Sequence, residues 1–176
     1  RIPAWGSQNG TSSLNVVAEV DGTQVTITPT VATAAGVGLP AGQPGVPMAP
    51  VILDEGDVLQ ISSNANTSLD GSLVEATQRV GVFSGHQCAN IPTSCSYCDH
   101  VEEQIFGLST WGTEYAATQL PSRANPPEYA VWHVMAGTAA TTLTFQADAV
   151  VYGLPSQPVT LLPGETMELI VQGYGT

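Results

Sequence analysis

The sequence predicts an all-β fold, an antiparallel sandwich built from repeated hairpin units and interrupted once by a cysteine-bearing excursion. Short runs of alternating apolar and polar residues recur along most of the chain, the two-residue period of strands with one buried face. Eighteen glycines and thirteen prolines punctuate these runs, as in sandwiches and barrels. A twelve-residue segment also returns later in the chain, which marks a repeated structural unit.

Each element follows from local pattern. Leu14 to Val20 and Gln24 to Thr28 alternate cleanly and are joined by Asp21-Gly22, a strong hairpin signal. Thr33 to Pro50 is too rich in Gly and Pro for a regular element and is expected as a long surface loop. Val51 to Leu53 and Val58 to Ile61 flank a turn, Asp54-Glu55-Gly56-Asp57, and Leu73 to Ala76 and Arg79 to Ser84 follow. Asp99 to Ile105 is the only helix candidate, a turn or two with Asp99 near its N-cap. Tyr129 to Met135, Thr142 to Ala147, Pro158 to Leu161 and Thr166 to Val171 complete the strands.

The repeat organises the chain. Pro50 to Ile61 aligns without a gap to Pro158 to Leu169, matching Leu53 with Leu161, Gly56 with Gly164 and Asp57 with Glu165. Upstream, Gly22-Thr23 corresponds to Gly137-Thr138 if a short insertion follows the second pair. The expected organisation is a first β unit over residues 1–128, with the excursion at 85–115, and a second, truncated unit over 129–176. Its final strand is expected to be an unprotected edge.

Composition narrows the function. Fifteen acidic residues face three arginines and no lysine, a net charge of −12, so nucleic acid and anionic membrane surfaces are excluded as partners. No run of 18 apolar residues exists to span a bilayer. The chain opens at Arg1 in loop-like sequence and reads as an excised segment of a larger protein. Lysine-free sequence rich in Ala, Gly, Thr and Val fits a bacterial source.

The chemistry gathers between Gly81 and Tyr115. This stretch holds all three cysteines, two of the three histidines and one of the three tryptophans. The order Ser84-Gly85-His86-x-Cys88-x-x-Ile91-Pro92, then Cys98-Asp99-His100-Val101-x-Glu103-Gln104-Ile105, then Trp111-Gly112-x-Glu114-Tyr115 resembles the N-terminal domain family of the IgG Fc-binding protein. The resemblance covers roughly Leu14 to Leu169 and implies an extracellular or cell-surface binding and adhesion module, secreted and not an enzyme. It also implies a disulfide between Cys88 and Cys98, which makes the excursion a disulfide-pinned loop with a short helix. Such a bridge would stabilise the domain by about 2–3 kcal/mol. Cys95 departs from the family pattern; it could pair with Cys88 instead, stay free, or bridge to another chain.

The same residues admit a metal reading. His86, Cys88, Cys95, Cys98 and His100 supply enough donors for tetrahedral zinc, although exported thiols oxidise before they meet it. Asp54-Glu55-x-Asp57 and Ser68-Leu69-Asp70-Gly71 raise calcium, but turn chemistry accounts for both. A Cys–His nucleophile would need a reduced, activated thiolate, so no catalytic residue is assigned and no cofactor is expected.

Two roles remain for the excursion. The favoured one is a cap over an open end of the core, with Trp111 anchoring its exit. Alternatively it presents His86, His100, Glu102, Glu103 and Trp111 to a protein or glycan ligand. A second function class is a structural subunit that self-associates into a layer or fibre through an edge strand or Cys95.

Overall fold

Alternating sequence becomes alternating burial in β1 (Ser12–Ala18), where Ser12, Leu14, Val16 and Ala18 point inward and the residues between them are half-buried. In β2 (Thr23–Thr28) the inward set is Thr23, Val25 and Ile27. The computed structural model describes residues 1, 5, 10–119, 121–123, 128–147 and 151–173, and its regular structure is nearly all strand. The chain divides into two compact units, Arg1–Leu108 and Ser109–Thr176.

The first unit continues with β3 (Val51–Leu53), β4 (Val58–Ser62), β5 (Leu73–Ala76), β6 (Val80–Ala89) and β7 (Asp99–Gln104). One antiparallel sheet has the order β4-β1-β6-β7, and the other β3-β2-β5. Leu14, Val16 and Ala18 of the first sheet meet Val25, Ile27 and Leu53 of the second, with Ile61 and Leu69, in one buried cluster. This is the expected antiparallel sandwich.

The turns work differently from the hairpins expected of them. β1 and β2 lie in opposite sheets, as do β3 and β4, so Asp21-Gly22 and Asp54 to Asp57 are corners that carry the chain across the core. β1 cannot pair with β2 because β4 and β6 already occupy both its edges. The two corners bind one another. Gly22 N–H donates to Asp54 Oδ1 at 3.2 Å, and Glu55 N–H donates to Asp21 Oδ1 at 2.9 Å. Asp57 Oδ2 accepts from Asp54 N–H at 3.0 Å, so these carboxylates serve the turn. Asp70 N–H likewise receives Ser68 Oγ as its acceptor at 3.1 Å.

The 33–50 segment is a loop, but one fastened to the sandwich. Thr33 Oγ1 accepts from Gly42 N–H at 2.7 Å, Gly45 N–H donates to Pro29 O at 2.7 Å, and Met48 N–H donates to Ile27 O at 2.8 Å. A Cβ on Gly42 would sit 2.9 Å from Thr33 Oγ1 and 3.0 Å from Met48 Sδ, so the closure requires glycine.

The expected helix at 99–105 is instead strand β7, and the excursion is a β-hairpin tip rather than a non-β loop. One isolated turn of helix is marginal in water. As a strand, the same residues pair with β6 in the register Phe83↔Gln104, Gly85↔Glu102 and His86↔Val101. Gly85 permits the approach, since a Cβ there would lie 3.1 Å from Val101 O.

The second unit contains β8 (Ala130–Met135), β9 (Thr141–Leu143), β10 (Val151–Tyr152), β11 (Val159–Leu161) and β12 (Thr166–Gly173). Its sheets run β10-β12-β8 and β11-β9. Ala136, Leu161, Leu169 and Val171 are buried. The last strand is not the expected edge: β12 pairs with β10 on one side and β8 on the other.

The corners around Gly56 and Gly164 carry matching hydrogen bonds. Both glycines adopt positive φ, 82° and 76°. Each donates its N–H to an alanine carbonyl, Ala18 or Ala136, at 3.0 Å, and each alanine donates back across the corner to Asp57 O or Glu165 O, at 3.1 and 3.0 Å. Leu53 and Leu161, just before the corners, are both buried. β2 pairs Thr23 with Leu53, and β9 pairs Thr141 with Leu161. Thr23 therefore matches Thr141 rather than Thr138, and the insertion that the sequence alignment required disappears.

Candidate functional site

The β6–β7 hairpin draws the cysteines together. β6 leaves the sandwich core with Ser84, His86 and Ala89 buried, and β7 returns beside it after a register shift between His86 and Ala89. Cys88 and Cys98, a sequence separation of 10, form a disulfide with Cα atoms 4.8 Å apart. Cys95 is the free cysteine of the loop and is half-buried. With Cys88 and Cys98 bonded to each other, neither offers a thiolate, and no group of three or more metal-binding side chains occurs among the described residues.

Asn90 holds the loop from inside. Its buried amide donates to Cys95 O at 2.9 Å and to Tyr97 O at 3.1 Å, while Cys95 N–H donates to Pro92 O at 2.8 Å. The result is a closed loop whose tip presents Tyr97 at 85% exposure. Sequence reasoning singled out neither Asn90 nor Tyr97. The available signal was an amide and an aromatic enclosed by cysteines, since Asn side chains commonly satisfy loop backbone.

The two histidines have opposite settings. His86 is 1% exposed; its Nδ1 accepts from Cys88 N–H at 3.0 Å, which places the ring proton on Nε2, a buried atom without a hydrogen-bond partner among the described residues. Burial holds this imidazole below its ordinary value of 6.5. His86 is thus part of the loop's foundation. His100 stands on the exposed side of β7, its Nε2 3.7 Å from Glu102 Oε2, with both side chains largely in solvent. Asp99, Glu102 and Glu103 are also exposed, so β7 forms a charged sheet edge, a common device against edge-to-edge association.

Trp111 belongs to the second unit and is half-buried; next to it, Gly112 N–H donates to Tyr115 Oη at 3.0 Å. The hairpin itself therefore collects His86, His100, Glu102, Glu103 and all three cysteines.

Fold and hairpin define an antiparallel β-sandwich protein carrying a disulfide-closed loop. The chain belongs to the family described as IgGFc binding protein, which matches residues 1–174. A human protein named IgGFc-binding protein is 39% identical to it over 95 residues, 54% of this chain and 2% of that relative. The chain thus spans a very small part of the curated relative it matches. No solved structure matches it. No helix among the described residues is long and apolar enough to cross a membrane.

Proposed function

We propose that this chain is an extracellular, non-catalytic binding and adhesion module of a larger protein, and that the β6–β7 tip meets a protein partner. The observation carrying this reading is the exposed Tyr97 on a loop closed by Cys88–Cys98 and held internally by Asn90. With its backbone carbonyl held by Asn90 and only two side-chain torsions to order, Tyr97 loses little conformational freedom on binding, the economy that favours tyrosine at recognition surfaces. A disulfide in an 18.2 kDa chain suits an oxidising compartment. The rest of the hairpin serves the cap reading, because β7 covers the edge of β6 while its charged face stays in solvent. The matching corners at Gly56 and Gly164 support a β unit that occurs twice, once before and once after the cysteine hairpin.

The human relative's name makes IgG Fc the first partner to test. The whole chain, with Tyr97→Ala and the pair Glu102→Gln/Glu103→Gln, is measured against immobilised Fc and a protein and glycan array. Tyr97→Ala should weaken binding about tenfold or more with unchanged Tm, as at an interface hot spot. If the wild-type chain engages no protein, or Tyr97→Ala binds equally well, the hairpin is a cap and the proposal fails.

A further inference from the structure

We propose that the outer face of the β4-β1-β6-β7 sheet binds an uncharged oligosaccharide, laid across the strands over Phe83. This goes beyond the hairpin reading and concerns a different surface.

The face follows from the register. β1 turns Leu14 and Val16 into the core, so Ser13, Asn15 and Val17 point to its other side. Asn15 stands opposite Gln60 of β4 and Phe83 of β6, and Phe83 stands opposite Gln104 of β7. One row therefore crosses the whole sheet as Gln60, Asn15, Phe83 and Gln104. Gln60 and Gln104, at its ends, are exposed, while Asn15 and Phe83 between them are half-buried. At the usual strand spacing the row is about 14 Å long, the reach of a short oligosaccharide.

The floor beside the row is low. Ser62, Ser13 and Gly85 lie on one side of it, and Val58, Val17 and Gly81 on the other. A Cβ on Gly81 would come within 3.4 Å of Phe83 Cε2, so the ring leans along β6 over a residue that has no side chain. Glycine inside a strand weakens it and often marks a place where something approaches the sheet closely. Asparagine too is depleted in strands, so propensity does not account for Asn15 at the middle of β1.

Chemistry and charge identify the occupant. A carboxamide both donates and accepts hydrogen bonds, as each sugar hydroxyl does. The row sets Gln60, Asn15 and Gln104 around one aromatic ring, on which the C–H face of a pyranose can stack. None of the residues in the row or beside it on β4, β1 and β6 carries a charge, in a chain whose net charge is −12. On this face Glu102, opposite Gly85, stands at the border, 3.7 Å from His100. An anionic glycan is repelled by the chain's overall charge, and a basic peptide finds no carboxylate within the row. An uncharged polyol suits both facts.

The test titrates the whole, isotope-labelled chain with neutral tri- and tetrasaccharides of glucose, galactose, mannose, xylose and N-acetylglucosamine, and with a sialylated trisaccharide as the anionic arm. At least one neutral sugar should bind saturably, with NMR shifts centred on Gln60, Asn15, Phe83 and Gln104, and the sialylated one should not bind. Phe83→Leu, which keeps apolar bulk and loses the flat ring, should weaken binding about tenfold, and so should Gln60→Ala combined with Gln104→Ala. Gln24→Ala, on the exposed side of β2 in the opposite sheet, should bind as the wild type does, and so should Tyr97→Ala. The exposed glutamine pair tests the row even if Phe83→Leu fails to fold. The proposal is overturned if no neutral sugar binds, if the shifts centre elsewhere, or if either row variant binds undiminished. Loss of binding in Tyr97→Ala, or a preference for the sialylated sugar, overturns it as well.

Discussion

β1 and β8 stand in the same relation to a glycine corner, yet one is buried on alternate residues and the other is half-buried along its whole length. β1 has strands on both edges and an opposing sheet whose Val25, Ile27 and Leu53 close over Leu14 and Val16. β8 has one strand neighbour among the described residues. Alternation in a sequence becomes an inside and an outside only when neighbouring strands supply them. The same contrast separates the two sheet edges, since β7 is charged and β8 apolar.

The largest expected effect comes from truncating the two equivalent positions. Leu14→Ala removes a fully buried side chain and should cost about 3–5 kcal/mol. Trp132→Ala, although larger, should cost about half as much, because its site is only half-buried. Denaturant unfolding followed by hydrogen exchange in each unit measures both; equal losses would break the comparison.

Next comes the disulfide. Replacing Cys88 and Cys98 with serine should cost about 2–3 kcal/mol. Amides of β6 and β7 should lose protection while those of β8 and β12 keep theirs, and uniform loss would mean the loop supports more than its own unit.

A pair of glycines in one loop gives the third test. Gly42→Ala meets Thr33 Oγ1 at 2.9 Å and should cost about 1–3 kcal/mol. Gly36→Ala meets nothing within 4 Å and should change stability by less than about 0.5 kcal/mol. A tolerant Gly42 would mean the loop gives way where the structure holds it shut.

The smallest effect is a pH dependence. His86 is lowered in the folded protein by burial, so at mildly acidic pH the unfolded chain binds a proton that the folded chain refuses. Stability is fully present above the ordinary value of 6.5 and falls as pH drops below it. His86→Asn, which cannot titrate, should flatten that slope in Tm against pH; an unchanged slope assigns it to other groups.

Much of the sandwich was legible because its core strands alternate strictly, as Leu14 to Ala18 and Val25 to Ile27 do. The crossing of the corners was not legible. Asp21-Gly22 signals a tight turn but says nothing of whether its flanks pair, and that is decided by β4 and β6 competing for the edges of β1. The sequence Asp99 to Ile105 misled for a related reason. Its acids and N-cap residue favour a helix locally, while the open edge of β6 offers a backbone partner that no local signal reveals. Within the candidate site, the Cys88–Cys98 pairing came through family resemblance, whereas Asn90 became meaningful only once its amide was seen reaching two loop carbonyls.

The Cys88–Cys98 bond also sets how this chain responds to tension. A pull applied through both ends travels across the sulfurs and bypasses the residues between them, a separation of 10. With about 3.3–3.6 Å of reach per residue, roughly 30 Å of chain stays hidden while the bond is intact. Reduction would release that length as a discrete extra step in the extension of a single molecule, which makes the loop a tether whose slack is under redox control.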